Sequence, residues 1–243
     1  MQLILSAGLI AIVVGWGLLS PATMAKVFDL ALAEITRDFG AFYLWVVLAL
    51  VLLCGFLAFS RYGSLRLGAD DEAPEFSTFS WFSMLFAAGM GIGLVFWGVA
   101  EPLSHYGTAP PGITAGTPEA ANAAMRYAFF HWGLHPWAIY AVVALAIGFF
   151  QFRRGGAALV STSTESLPWL FVRRLSPMFN VLAVIATAFG VAASLGIGAL
   201  QINSGLNRVF GLPIGTGSQL GIIAVTTALF LTSAVTGVDR GIK

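Results

Sequence analysis

Charge is scarce in this chain. Asp, Glu, Lys and Arg make up 9% of its 243 residues against 58% hydrophobic, and the mean hydropathy is +0.87. Soluble domains carry about 25% charged residues, so an ordinary water-exposed fold is excluded. Cysteine is nearly absent too: Cys54 stands alone, which rules out a disulfide framework within the chain. Neither sign of charge dominates, with Lys+Arg 12, Asp+Glu 11 and a net charge of +1. Nucleic acid and acidic soluble partners therefore find no charged surface to bind.

What the chain has instead is six stretches without any Asp, Glu, Lys or Arg. They run from Met1 to Thr23, Phe39 to Ser60, Phe76 to Ala100, Tyr127 to Phe152, Leu175 to Asn207 and Val209 to Val238. Each reaches the roughly 20 residues that span hydrocarbon. The fold class is an all-α polytopic membrane protein with about six transmembrane helices. The fifth run must be tilted, broken or partly interfacial, because it exceeds that length. The first lacks a cationic n-region and is longer than an h-region, so it reads as a true crossing rather than a signal peptide. Lys and Arg gather on cytoplasmic loops. An N-terminus inside puts Arg61, Arg66, Arg153, Arg154, Arg173, Arg174, Arg240 and Lys243 inside, and Lys26, Arg37, Arg126 and Arg208 outside. The bias favours that orientation.

The third run holds Gly89-Met90-Gly91-Ile92-Gly93 at its centre. Each glycine costs roughly 1 kcal/mol in helix propensity, so the segment is expected to bend or unwind. Broken backbone survives at membrane depth only where protein or a wet cavity supplies partners, and interrupted helices bind substrate and coupling ions in secondary transporters. Gly89 and Gly93 also form a G-x-x-x-G pair, whose commonest use is close helix packing. Spacing alone leaves both readings open. A nucleotide-binding glycine loop is disfavoured, since no strand precedes it. The run ends at Glu101-Pro102, where the carboxylate needs an interface or a partner and Pro102 ends or kinks the helix. A structural or gating role suits Glu101.

The fourth run contains His131-Trp132-Gly133-Leu134-His135-Pro136-Trp137-Ala138-Ile139-Tyr140. At about 100° per residue, Trp132, Tyr140 and Trp137 fall at about 0°, 80° and 140°, on one helix face. Pro136 frees the carbonyl of Trp132 and loosens the helix between the two indoles. A quaternary ammonium forms no ordinary hydrogen bond, and aromatic faces hold it at about 0.5–2 kcal/mol per contact. The competing reading is the aromatic belt at the membrane interface. His131 and His135, at i and i+4, could ligate a metal or haem, or simply pack.

The connections are read more simply. Ala22 to Asp38 resembles an interfacial helix between the first two spans. The acidic loop Arg61 to Glu75 reads as a solvated face, and Gly107 to Asn122 as irregular chain. Thr162 and Glu165 match a capping box for a short interfacial helix through Ser166 to Val172. In the fifth run, Ser194 and Gly198 favour close helix contact, while Thr187 or Ser194 could offer oxygen to a hard cation.

Four strings together resemble the betaine/carnitine/choline transporter family. They are PEFSTFSWFSMLFAAGMGIGLVFWGVAEPLSHY (Pro74 to Tyr106), HWGLHPWAIYAVVALAIGFFQFRRG (His131 to Gly155), FGVAASLGIGALQINSGL (Phe189 to Leu206) and TGVDRGIK (Thr236 to Lys243). GMGIG followed by W-x4-W-x2-Y is a specific combination. The resemblance implies twelve spans built around a 5+5 inverted repeat that begins at the third. Residues 1–75 would hold two helices outside the repeat, and 76–243 most of the first repeat.

By the same resemblance, Trp132, Trp137 and Tyr140 match an aromatic box for substrate. Gly89, Met90, Gly91, Ile92 and Gly93 match an unwound segment near the substrate carboxylate. Ala87 and Met90 match positions whose backbone carbonyls help bind sodium in sodium-coupled members, and Thr187 matches a hydroxyl proposed for a second sodium. Val191 departs from the further hydroxyl often found there. Gly93 departs from the Asp of proton-coupled choline members, which favours betaine-like solutes with sodium.

The expected role is not enzymatic. It is uptake of a small zwitterionic or cationic trimethylammonium solute through the inner (plasma) membrane, with sodium as coupling ion and no other cofactor; self-association into a homo-oligomer is left open. The second repeat is missing, so the sequence reads as the N-terminal half of a transporter, unable by itself to complete alternating access. Two rival classes are a membrane metal or redox protein using His131 and His135, and a non-transporting membrane subunit assembled through its glycine faces.

Overall fold

The computed structural model describes residues 2–89, 91–165 and 167–236. Nine helices lie among them, and no strand: α1 (Gln2–Leu19), α2 (Pro21–Phe59), α3 (Thr78–Gly89), α4 (Ile92–Gly107), α5 (Pro118–Trp132), α6 (Leu134–Gly148), α7 (Val160–Glu165), α8 (Leu170–Phe210) and α9 (Thr216–Thr236). The segments Gln2–Leu19, Pro21–Phe59, Pro118–Arg153, Leu170–Phe210 and Thr216–Thr236 are long and apolar enough to cross a membrane. The remaining charge-free run is the one with clustered glycines, which is divided into α3 and α4. The chain thus forms an all-α polytopic membrane fold. It divides into two compact units, residues 1–72 with 129–187 and residues 73–128 with 188–243.

In the first unit, α1 stops at Leu19 because Ser20 precedes a proline and takes an extended φ of −151°. Pro21 then opens α2 at a position where its missing N–H costs nothing. The stretch from Ala22 to Asp38, expected as a separate interfacial connection, is continuous with the second span in one 39-residue helix. At about 1.5 Å per residue α2 is about 58 Å long, roughly twice the hydrocarbon thickness. Its charged half therefore extends beyond the apolar layer, where Arg37 pairs with Glu34 and, at 2.9 Å, with Asp38.

α2 packs on α6, with the Cys54 thiol 3.9 Å from the carbonyl oxygen of buried Ala138. α6 ends in a π-helical turn, Phe149–Arg153. From there Arg153 donates to the Gly68 carbonyl at 2.8 Å and to Asp70 Oδ1 at 2.7 Å. The loop from Arg61 to Glu75 is thus tied down as well as solvated.

The capping-box expectation is corrected. Thr162 and Glu165 lie inside α7 rather than at the head of a later helix, Ser166 lies outside the described residues, and α8 starts at Leu170. Tertiary hydrogen bonds decide this placement. Asn180 of α8, 7% exposed, accepts from the Ser161 amide at 3.0 Å and donates to the Ser161 hydroxyl at 3.0 Å and to Gln2 at 3.2 Å. Ser176 donates to the Ser161 carbonyl at 3.1 Å. This polar knot joins α1, α7 and α8.

In the second unit, the irregular stretch is shorter than expected, since α5 already begins at Pro118. Thr117 caps it by accepting from the Ala120 amide at 3.2 Å, followed by proline and Glu119 in the first turn. Tyr106 donates to the Gly116 carbonyl at 2.8 Å and closes the loop ahead of that cap. α8 ends at Phe210, and Gly211 just after it takes a φ of 70° and returns its amide to the Asn207 carbonyl at 2.9 Å. Asn203 and Asn207 then hold the reversal through the carbonyls of Pro213 and Leu212.

Candidate functional site

The glycine-rich segment interrupts its helix. α3 stops at Gly89 and α4 starts at Ile92, with Gly91 in its cap position and the Val95 amide bonded to the Gly91 carbonyl at 3.3 Å. A helix end leaves four carbonyls, and a helix start four amides, without partners inside the helix. Two such ends three residues apart therefore offer both donors and acceptors to a bound group. Ala87 falls in the last turn of α3, Gly93 in the first turn of α4. Met90 lies outside the described residues.

The aromatic group lies in the other unit. The expected loosening between the two indoles is present, but its locus is Gly133: α5 ends at Trp132 and α6 begins at Leu134. Pro136 occupies the first turn of α6, which tolerates it. Gly133 takes φ −87° and ψ −146°, and a Cβ added there would stand 2.6 Å from the Phe129 carbonyl oxygen. The break means that an angle counted along one helix from Trp132 to Trp137 does not apply. A different link joins them, since the Trp137 Nε1–H donates to the Trp132 carbonyl at 3.1 Å.

Tyr140 completes the group, its ring centred 5.8 Å from that of Trp137 at 45°. Trp132 is half-buried, while Trp137 and Tyr140 are 40% and 70% exposed. With its N–H engaged, Trp137 presents ring surface beside the phenol. Such surface attracts cations, and above all those that cannot hydrogen-bond.

The two histidines of α5 and α6 pack on Phe130. Ring centroids lie 5.9 Å away for His131 and 4.6 Å for His135. Glu101, whose partner was undefined from sequence, meets His105 one turn on, with Oε1 and Nε2 3.3 Å apart. The i, i+4 spacing of Glu101 and His105 could have revealed it. Thr187, Val191 and Ser194 all lie exposed within α8.

Comparison with known proteins adds the lineage. The family model described as BCCT, betaine/carnitine/choline family transporter, matches residues 2–243. The chain belongs to the betaine/carnitine/choline transporter family. Members of this family are transporters, not enzymes. Among relatives, the glycine betaine transporter OpuD of Bacillus subtilis (strain 168) is 51% identical over 231 residues, covering 94% of this chain and 45% of the relative. A probable glycine betaine transporter of Desulfitobacterium hafniense (strain Y51) is 42% identical, covering 99% of this chain and 49% of its own length. The ectoine/hydroxyectoine transporter of Virgibacillus pantothenticus is 47% identical over 86% of this chain and 42% of its own. The chain thus spans somewhat less than half the length of these relatives.

Proposed function

We propose that this chain serves in secondary transport of quaternary-ammonium compatible solutes of the glycine betaine type, by sodium symport across the cell's inner (plasma) membrane. The observation that carries the reading is the aromatic group of α5 and α6. Trp137 spends its only side-chain hydrogen-bond donor on the Trp132 carbonyl, so what its side chain has left for a ligand is ring surface, with Tyr140 beside it. Trimethylammonium is the head group that such a surface selects, because ammonium groups with N–H bonds gain more from water or from carbonyls.

On this reading Trp132, Trp137 and Tyr140 take the trimethylammonium end. The interruption spanning Gly89, Met90, Gly91, Ile92 and Gly93 offers backbone amides to a carboxylate. The carbonyls of Ala87 and Met90 take sodium, and Thr187 is the hydroxyl of a second sodium position. Residues 76–243 supply most of the first repeat, and residues 1–75 lie outside it. The N-terminus faces the cytoplasm, in keeping with the Lys and Arg bias. Sodium moving down a membrane potential supplies about 2.3 kcal/mol per charge per 100 mV, enough to drive solute accumulation.

The experiment is equilibrium dialysis of radiolabelled glycine betaine against the chain in phosphatidylcholine nanodiscs, in sodium chloride and in potassium chloride. Saturable binding strengthened by sodium is the expected result. Binding indifferent to the cation would remove the sodium coupling, and absence of binding would remove the solute class.

A further inference from the structure

Trp137 is not alone in reaching back across the break between α5 and α6. His135, in the first turn of α6, lies against Phe130, in the last turn of α5, with ring centroids 4.6 Å apart at 48°. That separation falls within the range of favourable aromatic pairs. Like the Trp137–Trp132 hydrogen bond, it joins residues five apart in the chain. On a regular helix such residues lie about 140° from one another, and it is those three and four apart that meet. Neither contact would form if α5 ran straight into α6, so each is specific to the broken arrangement. His131 also meets the Phe130 ring, at 5.9 Å, but it belongs to α5 itself and that contact does not cross the break.

Within α6, His135 and Trp137 are two residues and about 200° apart, so their side chains leave the helix on opposite sides. One contact opposes a swing of α6 in one direction, and the other opposes the reverse. The backbone fixes little of this angle by itself, because Gly133 is the most permissive residue for a bend and Pro136, three residues on, has no amide to donate. Side chains must set it. His135 is half-buried, and neither of its ring nitrogens makes a hydrogen bond or ion pair among the described residues. Its place is explained by its ring rather than by its polar atoms.

We propose that His135 is a positioning residue for the solute site: stacked on Phe130, it holds α6 against α5 at the angle that keeps Trp137 and Tyr140 in register with Trp132, and so maintains the preference for a trimethylammonium group. The inference rests on the solute class proposed above and adds what keeps the aromatic group in shape. His135 acts through Phe130, not on the solute.

Competing titrations of glycine betaine and glycine against the chain in phosphatidylcholine nanodiscs test it. His135→Leu and Phe130→Leu should each narrow the preference for glycine betaine about 2- to 10-fold, the reach of one aromatic pair. The double variant should be no worse than either single one, because the two residues act through one contact. His135→Phe keeps a ring on Phe130 and should restore most of the preference. A ratio between two ligands does not move with stability alone, so lost positioning and lost fold are told apart. If His135→Leu leaves the preference unchanged, or the effects of the two single variants simply add, the positioning role is overturned and the solute class stands. If the unsubstituted chain shows no preference for glycine betaine, the solute class fails and the positioning role fails with it.

Discussion

The indole nitrogen of Trp137 donates to the main-chain carbonyl of Trp132 at 3.1 Å, across the helix break at Gly133. One hydrogen bond thus fills an acceptor that the break leaves open and orients an aromatic ring. The two functions separate in variants. Trp137→Phe keeps a ring face and loses the donor, and is expected to cost about 1 kcal/mol of stability while retaining measurable glycine betaine binding. Trp137→Leu should lose the ring face as well, weakening binding by about 2- to 30-fold, the range of one cation–π contact. Thermal unfolding and dialysis on the same preparations read the two effects.

Gly133 is needed for its lack of a side chain. A Cβ there would meet the Phe129 carbonyl oxygen at 2.6 Å, and backbone oxygen cannot swing aside. Gly133→Ala is expected to destabilise the chain by about 1–3 kcal/mol, the usual cost of overpacking. It should also weaken glycine betaine binding, because it displaces the carbonyl that holds Trp137. A fall in unfolding midpoint without a change in binding would contradict this coupling.

Much of this was legible in the sequence, and the misses have physical reasons. Clustered glycines identified the interruption between Gly89 and Ile92, since backbone entropy there acts locally. Pro136 pointed to loosening between the indoles, but the break falls at Gly133 because a proline in a first helical turn loses no hydrogen bond. The charge-free runs marked hydrocarbon depth rather than helix ends. A helix continues through Lys26 and Asp29 at no backbone cost, so α2 is longer than its apolar part. The knot around Asn180 was invisible because it joins residues separated by 19 and 178 positions, and it overrode the local capping signal at Thr162.

Asn180→Ala tests that knot. It strips the buried Ser161 amide of its acceptor, and an unsatisfied buried donor costs about 1–3 kcal/mol. The unfolding midpoint should fall, and the Ser161 amide should exchange with deuterium faster than amides in the middle of α2. Unchanged protection would show that α7 is held by other contacts.

Asp70 gives a pH signature. The Arg153 guanidinium, first by its hydrogen bond and then by its charge, holds the Asp70 carboxyl below its ordinary value of 3.8. The contact therefore contributes above the ordinary carboxylate value and is lost as pH falls through the lower value in the folded chain. Asp70 is 82% exposed, so the effect is local to the loop rather than global. Pepsin cleavage of the loop between Arg61 and Glu75, scaled to an unstructured peptide, should accelerate only once the pH has fallen below the ordinary carboxyl value of 3.8. In Asp70→Asn that step should be absent, with fast cleavage throughout.

The central claim is that aromatic faces on α5 and α6 select a trimethylammonium group. The most direct measurement compares glycine betaine with glycine, which has the same carboxylate but an ordinary ammonium, in titrations of the chain and of Trp137→Leu in sodium chloride. The account predicts that the unsubstituted chain strongly prefers glycine betaine and that Trp137→Leu narrows the preference. Equal affinity for the two ligands, or a preference that survives Trp137→Leu intact, would contradict it.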